Sequence, residues 1–145
     1  MSELTFSPAA DADIPVIFSM CKDLIDTYED TDSIDYERVM AWVGKKLQKQ
    51  ISDYTCVMQN GEKVGYYHLS KEPDGWELDD VYVLPLYRSQ GIGSRILKHC
   101  IDTVNDSIYL YVFLRNRGAI RLYEKFGFTP QRKLGNTRMI MRREG

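Results

Sequence analysis

Apolar residues recur along the chain with two different periods, and the switches between them mark its elements. Leu4 and Phe6 alternate with polar neighbours, which predicts a short strand ended by Pro8-Ala-Ala-Asp11. Ile17, Met20, Cys21, Leu24 and Ile25 then trace the stripe of an amphipathic helix. A second stripe, Tyr36, Val39, Met40, Val43 and Leu47, predicts another helix. Asp32 or Ser33 is placed to cap its start, and Lys45, Lys46 and Lys49 gather at its end, where cations suit the helix dipole. Period two returns over residues 54–58 and 64–69, two strands joined by Asn60-Gly61, a pair that tolerates positive φ in a tight hairpin. After the turn Pro73-Asp74-Gly75, a further strand covers residues 76–84 and stops at Pro85.

Across Pro85-Leu86-Tyr87-Arg88-Ser89-Gln90 the period becomes helical again, with Ile92, Ile96, Leu97, Cys100, Ile101 and Val104 on one face. Residues 108–114 read as a strand. Ala119, Ile120, Tyr123 and Phe126 mark a short helix closed by Gly127, and strands over 128–133 and 137–142 flank Gly135-Asn136. The order is β, α, α, β, β, β, α, β, α, β, β without repeat or linker. It predicts one α/β domain over residues 1–145, with helices packed on a sheet.

At 145 residues and 43% hydrophobic content, the chain can bury a core without metals or disulfides. A net charge of -2 gives no overall attraction to nucleic acid or to acidic lipid, so neither is expected as a partner. Cys21, Cys56 and Cys100 lie far apart within apolar patterns and read as buried thiols of a reducing compartment. With no leader pattern and no apolar run of about 18 residues, a soluble cytoplasmic protein is expected. His68 and His99 have no partners at metal-ligand spacing, so no metal site is predicted.

The strand-to-helix turn carries the first chemistry. Gly91 and Gly93 leave backbone N–H groups at the helix start open to one anion, and Arg88 adds a guanidinium fork. By themselves the glycines fit a tight turn equally well. A dinucleotide loop needs a third glycine where Ile96 stands, and a P-loop needs Gly-Lys-Ser/Thr where Gly93-Ser94-Arg95 stands; neither spacing excludes the diphosphate of coenzyme A.

Arg88-Ser89-Gln90-Gly91-Ile92-Gly93 resembles the (Gln/Arg)-x-x-Gly-x-(Gly/Ala) motif of the GNAT superfamily of N-acetyltransferases. Val81-Tyr82-Val83-Leu84-Pro85-Leu86-Tyr87 resembles that family's lead into the loop, and the segment from Asn116 to Phe128 resembles its second hallmark, N-x-x-A-x-x-x-Y-x-x-x-G-F. The resemblance implies a mixed, mostly antiparallel sheet of about six to seven strands with about four helices on its two faces. It further implies acetyl-CoA as co-substrate. Val81, Tyr82 and Val83 then lie along the pantetheine arm, with backbone pairing at Val81 and Val83. Backbone N–H groups of Arg88, Ser89, Gln90, Gly91, Ile92, Gly93 and Ser94 hold the pyrophosphate, and Asn116 hydrogen-bonds the pantetheine.

Acetyl transfer needs a neutral amine, a polarised carbonyl and a proton for the departing thiolate. A backbone N–H near Val83 is placed to polarise the carbonyl. Tyr123 matches the family's tyrosine acid, although its spacing also suits a core position. For the base, the strand begins Glu77-Leu78-Asp79-Asp80, where alternation puts Glu77 and Asp79 on one face and Asp80 on the other. Glu77 ranks first as base and Asp79 second. Residues 78–83 with Gly91-Ile92-Gly93-Ser94 and Ile96-Leu97-Lys98 also resemble polyamine acetyltransferases, which points to Asp79 and Asp80 around the amine. Seven carboxylates between Asp23 and Glu37, with no Lys or Arg among them, serve either as caps in a solvated loop or, through Asp30 and Asp32, as an acceptor wall. The expected protein is an N-acetyltransferase for a small cationic or polyamine-like amine, with a homodimer left open. A protein N-terminal or lysine acetyltransferase and a non-catalytic acetyl-CoA-binding domain are the alternatives.

Overall fold

The computed structural model describes residues 3–145. Its strands are β1 (Leu4–Pro8), β2 (Tyr54–Gln59), β3 (Glu62–Glu72), β4 (Gly75–Val83), β5 (Ile108–Phe113), β6 (Thr129–Leu134) and β7 (Arg138–Arg143). Its helices are α1 (Ile14–Tyr28), α2 (Tyr36–Gln50), α3 (Ile92–Val104) and α4 (Arg117–Lys125). One seven-stranded sheet runs β1-β2-β3-β4-β5-β7-β6. Every neighbouring pair is antiparallel except β4 with β5. Among the described residues no helix is long and apolar enough to cross a membrane.

Two cores sit on the two faces. Ile17, Met20 and Cys21 of α1 and Val43 and Leu47 of α2 pack on Tyr54, Cys56, Tyr66 and Tyr82. On the other face Ile92, Ile96, Leu97 and Cys100 of α3 and Tyr123 of α4 pack on Val64, Tyr67, Leu78, Ile108 and Leu110. The helical stripes read from the sequence are these buried faces, and each fully buried Ile or Leu contributes about 1.5–3 kcal/mol.

Polar groups fix the ends of the elements. Asp13 accepts from Ala10 N–H at 2.8 Å, Lys63 Nζ at 2.6 Å and Tyr66 Oη at 2.8 Å, which ties the start of α1 to β3. The cap of α2 is Asp35, which accepts from Arg38 N–H at 3.2 Å, rather than Asp32 or Ser33. Those two fall in a 3-10 turn, Thr31–Ser33, where Ser33 Oγ donates to Asp30 at 2.6 Å. Strand ends shift from expectation by a residue or more, most at β3, which runs on to Glu72 because β4 pairs with it through Gly75.

Two irregularities shape the centre of the sheet. On β3 and β4, Tyr66 pairs with Tyr82 and His68 with Asp79, so Tyr67 alone faces Asp80 and Val81. This is a β-bulge, with Asp80 at φ 51°. The second irregularity is the short seam of β4 with β5: only Trp76–Ile108 and Glu77–Tyr109 pair before the strands part. Tyr82 is also drawn tightly against β3, since a Cβ on Gly65 would stand 2.5 Å from its carbonyl oxygen.

Gly65→Ala is therefore expected to lower the unfolding free energy by about 1–3 kcal/mol in urea titration. Gly93→Ala, whose Cβ would meet Leu122 at an ordinary 3.5 Å, is expected to leave it unchanged or slightly raised.

Candidate active site

The bulge at Asp80 decides which way the acids of β4 point. Regular alternation predicts Asp80 on the face opposite Asp79, but the extra residue resets the phase, and both carboxylates face α1 and α2. Leu78 and Val81 on either side of them belong to the α3 and α4 core. From α2, Lys46 reaches both acids, with Nζ 3.1 Å from Asp79 Oδ2 and 3.3 Å from Asp80 Oδ2. Tyr54 Oη donates to Asp80 at 2.6 Å, and the Asp80 N–H donates to Asp79 Oδ1 at 2.9 Å.

Lys46 is thus not merely the dipole complement that its place at the helix end predicts. Burial acts to lower its pKa, but Asp80 and Asp79 outweigh burial and hold it charged. The Asp79 carboxyl moves the other way: burial first and the Asp80 charge second raise it to about 6 against the pull of Lys46. Glu77, on the same face, is also raised, chiefly by burial, and accepts a long hydrogen bond from Tyr109 Oη at 3.4 Å.

These acids form the floor of a cavity of about 880 Å³ between the sheet and the α1 and α2 layer. Leu24, Ile25, Val39 and Trp42 supply an apolar wall, and Tyr111 and Phe113 of β5 close the far side. Of the acidic segment between Asp23 and Glu37, Glu29 reaches the cavity, while Asp30 and Asp32 are not on its wall. Three other acids of the segment have local work: Asp23 accepts from Tyr82 Oη at 2.5 Å, Asp26 from Lys22 and Tyr36 at 2.7 Å, and Asp35 caps α2. His68, which sequence spacing leaves as an ordinary strand histidine, lies in the cavity lining and is 3% exposed. The signal that could have found it is its hairpin position opposite Asp79.

The other face of β4 carries the glycine turn. A 3-10 turn, Pro85–Tyr87, leads to Ser89 at φ 63° and Gly91 at φ 78°, and α3 follows at once. The N–H of Arg95 makes the bond to Gly91 O at 3.2 Å, so the N–H groups of Ile92, Gly93 and Ser94 belong to the unpaired first turn of a helix. Arg88 departs from expectation, because its N–H donates to Pro85 O at 3.3 Å and is spent inside the turn. Its side chain donates from Nε to Val83 O at 3.0 Å and lies over the Tyr82 ring at 4.9 Å, with Nη2 3.5 Å from Asp23. The Tyr82 side chain itself points to the α1 face, leaving Val81 and Val83 toward α3.

Tyr123 of α4 packs its ring on Phe128 at 5.8 Å, inside the α3 core. Its phenol is pushed up by burial and next by the charges of Asp79 and Asp80, so it stands within electrostatic reach of the β4 acids. Asn116 Oδ1 accepts from Ala119 N–H at 3.2 Å as the cap of α4, which leaves its amide N–H₂ as the group able to meet a ligand. Among the described residues no group of three His, Cys, Asp or Glu side chains is disposed to hold a metal ion.

Residues 17–128 match the model of the acetyltransferase (GNAT) family. A mycothiol acetyltransferase of Corynebacterium efficiens is 33% identical over 85 residues, 54% of this chain and 28% of that protein. The N-alpha-acetyltransferase RimI of Mycobacterium tuberculosis is 30% identical over 89 residues, 58% of this chain and 56% of that one. The matched regions thus span about half or less of these curated relatives. In fold, the PaiA N-acetyltransferase of Thermoplasma acidophilum, solved in complex with coenzyme A, superposes with a TM-score of 0.77 over 99% of both chains at 17% identity.

The carboxyl of Asp79 gives a signed prediction. Folded Asp79 holds its proton more tightly than the unfolded chain does, so between 3.8 and about 6 the native state binds more protons and its stability falls as pH rises. Asp79→Asn is expected to flatten that slope in urea titrations across the window. Lys46→Met should move the Asp79 carboxyl further up, read by carboxyl ¹³C NMR, and destabilise the fold by about 1–3 kcal/mol at pH 7, because two acids are left unpaired.

Proposed function

The chain belongs to the acetyltransferase (GNAT) family, and from that premise we propose that it is an N-acetyltransferase moving the acetyl group of acetyl-CoA directly to a primary amine. One observation carries this reading: beyond Glu77, β4 is free of β5 and stands between a glycine-formed anion cradle on the α3 face and an acid-floored cavity on the α1 and α2 face. Two substrates can therefore approach one strand from opposite sides and meet in the gap, which supplies the proximity that thioester aminolysis needs.

The residues fit the diphosphate of coenzyme A. Ser89, Gln90, Gly91, Ile92, Gly93 and Ser94 form the cradle, where the helix dipole and the unpaired N–H groups favour an anion. Val81 and Val83 offer backbone on the unpaired side of β4 to the pantetheine, and the Asn116 amide N–H₂ adds a donor. Arg88 must release the Val83 carbonyl if that carbonyl is to pair with the arm. Tyr123 protonates the departing thiolate: a phenol carries its proton at neutral pH, as an acid must. The acetyl carbonyl is polarised by backbone N–H near Val83.

The acceptor approaches from the cavity. Its lining carries six carboxylates, Glu29, Asp53, Glu72, Glu77, Asp79 and Asp80, against three cations, Lys46, Lys71 and Arg138, which favours a cationic amine. Lys46 is an alkylammonium held between Asp79 and Asp80, an internal example of what this floor accepts. These features support a small cationic or polyamine-like acceptor. The stretch similar to RimI favours a second reading, an N-terminal peptide amine whose first side chain lies on Leu24, Ile25 and Trp42. Initial rates on spermidine and on unblocked peptides separate the two. Added salt should raise KM more than it lowers kcat for the polyamine, because screening acts over a Debye length of about 8–10 Å.

Acetyl-CoA is expected to raise Tm in thermal-shift titration, and Gly93→Trp, crowded against Leu122 and Val83, to abolish the shift. No shift in the parent protein at millimolar acetyl-CoA would defeat the proposal. Tyr123→Phe should keep acetyl-CoA affinity within a few-fold and lower kcat by about tenfold to a thousandfold. Full kcat at every pH would return Tyr123 to core packing.

A further inference from the structure

One side chain of the cavity floor has ring nitrogens that neither packing nor the pairing of the acids accounts for. His68 is 3% exposed, and among the described residues neither Nδ1 nor Nε2 has a hydrogen-bond partner. A buried polar group left unmade costs free energy, so it persists where something outside the fold completes it. His68 lines the cavity, and as the register partner of Asp79 it shares that residue's face, with Cβ atoms roughly 5 Å apart.

Its surroundings separate it from the acids. Lys46 faces it from α2, Asp53 from the turn before β2, Tyr54 from β2 with ring centroids 4.7 Å apart, Glu72 from β3, and Asp80 from β4. The neighbouring β4 carboxylates are already engaged: Asp79 by Lys46, Asp80 by Lys46 and Tyr54, and Glu77 by Tyr109. Burial, then Lys46, lowers the imidazole pKa against the pull of Asp80, Asp53 and Glu72, so at neutral pH the ring keeps an open lone pair.

We propose that His68 is a catalytic residue of the acceptor site, taking the proton that the acceptor ammonium must lose, directly or through one water. This rests on the transferase reading above and assigns its base to β3 rather than to a carboxylate of β4. The first N–H proton passes to an imidazole nitrogen and on to cavity water. The freed lone pair forms the C–N bond at the thioester carbon as the C–S bond breaks. The thiolate takes the phenolic proton of Tyr123, and the second N–H proton, shed as the amide forms, restores the phenol through solvent. The carboxylates of the lining outnumber its cations and set the field that draws the ammonium to this point.

A packing role and a proton-accepting role predict opposite outcomes. If His68 only fills space, His68→Gln costs stability and leaves the pH profile alone. If it takes the proton, His68→Gln lowers kcat about a hundredfold and removes the acidic limb of kcat/KM, whatever the change in Tm. An acidic limb that survives in His68→Gln and moves instead with Asp79→Asn overturns the proposal, as does full kcat.

A second measurement needs no turnover. In ¹⁵N-histidine-labelled protein there are two imidazoles, and His99, stacked on Phe6 at 3.6 Å, is the internal reference. Saturating spermidine or an unblocked tetrapeptide is expected to shift the His68 ring nitrogens and not those of His99. His68 signals unmoved by both probes overturn the assignment even if acetyl-CoA binds. Failure of acetyl-CoA to bind in calorimetry defeats the transferase reading separately, with the imidazole contact still decided by the NMR result.

Discussion

Asp80 in a left-handed conformation is the constraint on which the site depends. A residue at φ 51° that is neither Gly nor Asn is uncommon in a strand, and here it inserts one position into β4 opposite Tyr67. That insertion turns an alternating acid pattern into two adjacent carboxylates on one face. Two such charges beside a hydrophobic layer require a counter-charge, and Lys46 on α2 supplies it. The lysine then fixes how α2 sits on the sheet at this point, and the space left between α2, α1 and β4 is the cavity. The one extra residue thus sets which acids face the cavity and which ion pair they form.

Most of the fold was legible because it follows from periodicity. The stripes of α1, α2, α3 and α4 became the buried faces, the Asn60-Gly61 hairpin formed with φ of 53° and 77°, and the period change after Pro85 marked the glycine turn. What stayed hidden depends on residues distant in sequence. Alternation misplaced Asp80 because a bulge leaves no periodic trace. Lys46 read as a helix-end cation because its partners lie 33 and 34 positions away. Asp30 and Asp32 do not line the cavity, which Glu29 and Ile34 on either side of them do, and Ser33 donates to Asp30 within the 3-10 turn, a local pairing that charge pattern alone does not reveal. His68 gave no signal by itself, since its meaning comes from standing across the hairpin from Asp79 and from lacking a partner.

The two faces of β4 have different physical characters. The α3 side presents backbone N–H groups at a helix start, a field fixed by main-chain geometry and insensitive to pH. The α1 and α2 side presents titratable side chains whose charges depend on one another: burial and Asp80 raise Asp79, Lys46 lowers it, and both Lys46 and the acids act on His68. Substitutions on the first side therefore act through shape, and those on the second propagate through the whole electrostatic set.

The seam between β4 and β5 has a mechanical side. With two residue pairs joining them, the seven strands behave as a four-stranded and a three-stranded antiparallel sheet sutured along a short edge. Backbone hydrogen bonds resist sliding only at Trp76 and Glu77. Beyond that point the spread of the two halves is held by side chains that bridge them, Leu78 and Ile96 packed together with Leu110 and Tyr123. The width of the gap between β4 and β5 is thus a property of core volume, and a methylene added or removed at Ile96 or Leu110 changes it.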